Sequence, residues 1–98
     1  MDADAVAEAL VDVLRLCRAV RDAQTMLHLP APRLAELLRC AACAEHAATS
    51  HPVDEYEVLA QVRSMRYILV EDANGPIAAF MADSAARIIG DGIGRFFG

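Results

Sequence analysis

Apolar side chains recur at Val6, Leu10, Val13, Cys17, Val20 and Leu27, with the polar Gln24 completing an alternation of four- and three-residue steps. Such steps keep one face of a 3.6-residue helix apolar, and Val11 and Leu14 widen the stripe. The pattern predicts a first helix from Ala3 to Leu29, about seven turns long. Asp2 and Asp4 stand where an N-cap and the positive end of the helix dipole favour carboxylates. Pro30 and Pro32 stop the helix, because the residue before a proline avoids the helical region.

Pro32 suits the first turn of a second helix, whose inner face reads Leu34, Leu37, Leu38, Ala41 and Ala44 or Ala48 before Thr49-Ser50-His51-Pro52. After residue 40 this face narrows to alanine. Small side chains let a neighbouring helix come close, so the tightest crossing of the fold, or of an oligomer, is expected there. A third helix opens on Asp54, Glu55 and Glu57 and repeats Val58, Val62, Met65 and Leu69. A fourth starts at Pro76 and carries Ile77, Phe80, Met81, Ser84, Ala85, Ile88 and Ile89.

One stretch reads two ways. Tyr67-Ile68-Leu69-Val70 and Pro76-Ile77-Ala78-Ala79-Phe80 flank Asn74-Gly75, so a β-hairpin over 66–82 in an α+β fold is the alternative. A lone hairpin is marginal in water, which favours helices. The fold expected is therefore all-α, a small antiparallel helical bundle of three to four helices forming one domain over residues 1–98.

The last nine residues conflict with themselves. Glycines at 90, 92 and 94 each cost about 1 kcal/mol in a helix relative to alanine, yet Ile93, Phe96 and Phe97 concentrate apolar area there. A partner surface reconciles the two, so Ile88, Ile89, Ile93, Phe96 and Phe97 are expected to anchor an intermolecular contact. The first-helix seam of Val6, Leu10, Val13, Cys17, Val20 and Leu27 is the other candidate interface, with Asp12, Arg15, Arg18 and Asp22 bordering it or facing solvent.

Composition sharpens this picture. The 98 residues are 56% hydrophobic but 5% aromatic, and 20 of them are alanine. A chain of this length buries roughly 60–65% of its unfolded surface, so a thin, alanine-rich core points toward self-association or a protein partner. Nine arginines and no lysine against 14 acidic residues give a net charge of −5, opposite to what a phosphate backbone or an anionic membrane attracts. Neither nucleic acid nor membrane is expected as a partner. Met1-Asp2-Ala3-Asp4 is acidic where a signal peptide is positive, and no apolar run reaches about 18 residues, so the expectation is a soluble, cytoplasmic chain. Three cysteines make an odd, sparse set, for which reduced thiols are the default.

Candidate chemistry is thin. Cys40-Ala41-Ala42-Cys43-Ala44-Glu45-His46 carries the ligand types of a zinc site, and a Cys/His metal-binding or thiol-redox protein is one alternative function. On a helix, however, each three-residue step turns about 60° away, so Cys40 and His46 diverge by about 120°. No metal or other cofactor is expected, and small buried thiols that pack like alanine explain the cysteines. No arrangement of nucleophile, base and orienting acid has a spacing that favours catalysis, and no phosphate-binding glycine loop is present in a strand-to-helix setting. A small-ligand carrier using Met26, Met65 and Met81 is a further alternative, although methionine at these spacings more often fills gaps in a core.

Ala86-Arg87-Ile88-Ile89-Gly90-Asp91-Gly92-Ile93 places apolar residues before a Gly-Asp pair and another after it. In this it resembles the short amphipathic death-motif helix by which apoptosis regulators enter a partner's hydrophobic groove. The resemblance spans about eight residues, departs from the usual leucine at Ala86, and implies a groove-binding regulator acting through segment 86–97. The main expectation is a non-enzymatic protein-interaction or assembly module, working as a homo-oligomer or as a small subunit of a larger complex.

Overall fold

A computed structural model describes residues 3–92 and shows an all-α fold. Its four helices are α1 (Ala3–Asp22), α2 (Ala31–Thr49), α3 (Glu55–Glu71) and α4 (Pro76–Arg87), and there is no strand among the described residues. Segment 66–82 is helix, turn and helix, so the hairpin alternative does not form. The helical period of both flanks, with Pro76 at the first position of α4, outweighs the local turn signal of Asn74-Gly75.

α1 stops earlier than its periodicity implies. It ends at Asp22, about five and a half turns, rather than running on to Leu29. A single 3₁₀ turn over Gln24–Met26 follows, and His28 has a left-handed φ of 55°. Gln24, the polar member of the stripe, bends back and donates through Nε2 to the Arg21 carbonyl at 3.0 Å, satisfying an acceptor that the helix end leaves open. The tighter turn swings Leu27 fully into the core, and its carbonyl accepts the Asn74 N–H at 3.0 Å. That bond fastens the end of α1 to the α3–α4 turn.

α3 begins as its sequence prescribes. The Asp54 carboxylate accepts the Glu57 N–H at 3.1 Å, and Glu55 and Glu57 lie in the positive first turn. The start of α2 is held to the end of α3 by Arg33, which hydrogen-bonds Glu36 Oε2 at 2.7 Å and approaches Asp72 Oδ2 through Nε at 3.1 Å. The second contact is ionic, without hydrogen-bond alignment, and it neutralises an otherwise unpaired enclosed oxygen. Arg21 likewise faces the enclosed Glu45 Oε1, joining α1 to α2.

The core is apolar: no polar or charged residue is buried among the described residues. Val13, Cys17, Val20, Leu27, Leu37, Val58, Val62 and Met65 are fully enclosed, with Ala41, Ala44 and Ala85 between them. The inner face of α3 is the one its period predicts, Val58, Val62, Met65 and Leu69, joined by Ile68. On α2 the inner face is Leu37, Cys40, Ala41, Ala44, Ala47 and Ala48, while Leu34 and Leu38 are only half-buried.

α4 differs more. Its buried side is Ala78, Met81, Ala82 and Ala85, continued by Ile88, and Phe80 projects into solvent. Met81, Ala85 and Ile88 of the expected face are inside, but the face is rolled by about 50°, so that Ala78 and Ala82 join them and Phe80 leaves. α4 packs against α3 and α1, and alanines at 78, 82 and 85 allow that approach where a phenylalanine would hold the helices apart. Beyond Arg87 the chain widens into a π-helical turn, Ile88–Gly92, which packs on α1 and α4.

The α3–α4 turn depends on Gly75, whose φ of 101° and ψ of 171° fall in a region that only glycine occupies readily. A Cβ added there would lie 3.7 Å from His28 Cδ2, an ordinary contact, so the cost of a side chain is one of backbone conformation. Gly75→Ala should therefore lower stability by about 1–3 kcal/mol. Urea unfolding followed by circular dichroism measures this, and an unchanged midpoint would show that the turn relaxes without loss.

Candidate interaction surface

Inward and outward faces of the helices separate cleanly, and the outward ones carry the features that packing does not explain. On α3, Tyr56 is 75% exposed, Tyr67 60% and Val70 51%. Exposed Ala60 and Arg63 lie between them, and the five positions share about 80° of helix circumference, opposite Val58, Val62 and Met65. Phe80 on α4 is 68% exposed. Three of the five aromatic residues of the chain thus face outward on the α3–α4 hairpin. The hint available in the sequence was the eleven-residue spacing of Tyr56 and Tyr67, three full turns, which places both on one side of α3 away from its valine and methionine positions.

The charges of α3 are also ordered. Asp54, Glu55 and Glu57 occupy its start, Arg63 and Arg66 follow beyond its middle, and Glu71 closes it. Among the described residues neither arginine meets a carboxylate of its own chain. Arg33 at the α2 border is pushed above the usual arginine range by its hydrogen bond to Glu36 and by the charge of Asp72, with a smaller effect of the same sign from Tyr67.

The candidates from the sequence are distributed as follows. Val13, Cys17, Val20 and Leu27 are enclosed by the chain itself, so in this fold they hold α1 to its neighbours and leave no surface for a second molecule. Leu10 is half-buried against the core and Val6 is partly covered. Ala9 and Leu16 complete the inner face of α1, and Asp12, Arg15, Arg18 and Asp22 are exposed. Ile88 is buried and Ile89 half-buried. Ile93, Phe96 and Phe97 lie outside the described residues. Ile88 is the central apolar residue of the segment resembling a death-motif helix, and it is committed to the core of its own chain.

Cys40, Cys43 and His46 do not converge. Cys40 faces the core, Cys43 is half-exposed and His46 is exposed, as the helical angle requires. Among the described residues no three His, Cys, Asp or Glu side chains are grouped to hold an ion. Burial raises the Cys40 thiol above its ordinary range, and it pushes Cys17 up to about 11 against the opposing pull of Arg21. Both are poor nucleophiles in the folded state, since the thiolate is the reactive form. Met65 and Met81 belong to the core whereas Met26 is exposed, so the three line no common cavity. A depression on α1 is bordered by Ala7, Glu8, Val11, Asp12 and Arg15, all from one helix, and has no second wall to enclose a small molecule.

Fold and surface together define a small four-helix domain that turns an aromatic, partly charged helix face to solvent. No protein-family model, curated protein or solved structure matches the chain. No described helix is long and apolar enough to cross a membrane.

Proposed function

We propose that the protein acts through protein–protein contact, as a homo-oligomer or as a small subunit of a larger assembly, rather than as an enzyme. The observation that carries this reading is the exposure of Tyr56, Tyr67 and Val70 on α3 together with Phe80 on α4, around a core that already closes on itself. Aromatic residues are enriched where proteins meet, because a flat, stiff ring supplies contact area at small entropic cost. The charge balance supports a protein partner over nucleic acid, since −5 repels phosphate. A cytoplasmic setting, in which the three thiols stay reduced, belongs to the same reading.

Native mass spectrometry of the full chain, isolated under conditions that preserve complexes, tests it. The expected result is a mass above the 10.6 kDa of the single chain, from further copies or from a companion protein. A bare single chain at every concentration up to that found in its cells, with no companion, overturns the reading.

A further inference from the structure

We infer that the partner of the α3 face is a second copy of this chain, with the two α3 helices antiparallel across a two-fold axis. The inference rests on the interaction reading above and names the partner for that surface. Its basis is the order of side chains and charges along α3. Tyr56, Ala60, Arg63, Tyr67 and Val70 form a stripe with steps of four and three, the spacing that meshes two helices along a seam.

The stripe complements itself when one copy is reversed. With the axis level midway between Gln61 and Val62, Tyr56 stands opposite Tyr67 of the second copy, and Arg63 opposite Ala60, whose small side chain leaves room for the arginine stem. Two-fold symmetry repeats each contact. Glu55 and Arg66 lie eleven positions apart on one flank of the stripe, and an axis perpendicular to the helices brings each flank against the same flank of the other copy. Arg66 then falls within about 3 Å, along the axis, of Glu55 of the second copy.

Charge selects this orientation. Along the flank that meets the other copy α3 carries Glu55 near its start and Arg66 further on, with Glu71 beyond the paired stretch, so a reversed copy sets Glu55 against Arg66 whereas a parallel copy sets like against like. Arg66 meets no carboxylate of its own chain among the described residues, and the reversed copy supplies Glu55.

Sedimentation equilibrium of the full chain from about 10 to about 500 µM, the range for weak interfaces of modest area, is the first measurement. A two-copy species near twice 10.6 kDa is expected. Arg66→Glu and Glu55→Arg should each weaken it by about tenfold or more, because each makes two like-charge contacts per dimer. An equimolar mixture of the two variants should recover dimer strength, since one chain then carries only glutamate and the other only arginine at the paired positions. Tyr67→Ala should weaken the dimer to a similar degree while the far-ultraviolet circular dichroism is retained. A chain monomeric throughout, a dimer indifferent to all three substitutions, or variants that stay weak when mixed would each overturn the inference. A complex with a different protein in native mass spectrometry, from a chain monomeric in sedimentation, would overturn it too and leave the broader reading standing.

Discussion

Leu37→Ala should lower stability by about 3–5 kcal/mol, the largest loss expected from any single truncation in this fold. Leu37 is fully enclosed on α2, and its neighbours there are mostly Cys40, Ala41, Ala44 and Ala47. Small side chains cannot stretch into a void, and the helices are already close, so the space left by the leucine collapses only in part. The loss then contains the cavity as well as the lost transfer energy. A domain of this size holds roughly 5–10 kcal/mol in total, so the variant should unfold at a much lower urea concentration and be partly unfolded at 37 °C. Equilibrium urea unfolding of wild type and variant, read at 222 nm, measures the difference. A loss under about 1.5 kcal/mol would mean that α2 shifts to refill the site and that its alanine face is not tightly packed.

Raising the pH from 9 to 11 should remove roughly 2 kcal/mol of stability through Cys17 alone. The thiol is enclosed, and burial lifts it from 9.0 to about 11 in the folded chain. Below pH 9 it is protonated folded and unfolded, so the full stability is present. Between pH 9 and 11 the unfolded chain loses the proton while the folded one keeps it, and unfolding becomes easier by 1.36 kcal/mol for each unit of pKa difference. Urea midpoints of wild type and Cys17→Ala, compared at pH 8, 9, 10 and 11, isolate the effect because the other groups are common to both. The variant should start less stable, owing to the lost sulfur, and decline less steeply. Parallel curves would show that the sulfur is reached by water and that α1 does not seal the core at this point.

Both expectations rest on residues whose inward direction could be read from period alone. Cys17 lies on the first-helix stripe and Leu37 on the second, and a polar alternative exists at neither position. Leu16 and Cys40 were harder to read, since each lies one position off the stripe that the larger residues mark. Their burial depends on a neighbour that covers the side of the helix rather than its centre. The outward aromatic face was legible only in the spacing of Tyr56 and Tyr67. Phe80 misled, because a phenylalanine within an apolar period reads as core until the alanines beside it are seen to take the contact.

The sequence by itself determined a helical chain and nearly where its first three helices begin, because a 3.6-residue apolar period, a proline in the first turn of α2 and the Asp54 cap are local physics that act whatever the neighbours. It also determined the inner face of α3, where Val58, Val62, Met65 and Leu69 leave a single apolar side. Three things waited for the tertiary structure: the end of α1 at Asp22, the roll of α4 that puts Ala78 inside and Phe80 outside, and the choice between hairpin and helices over 66–82. Each is a contest between nearly equal local options. What settles it is a contact distant in the chain, such as Asn74 N–H on the Leu27 carbonyl or α4 laid on α1, and no window of sequence contains both partners.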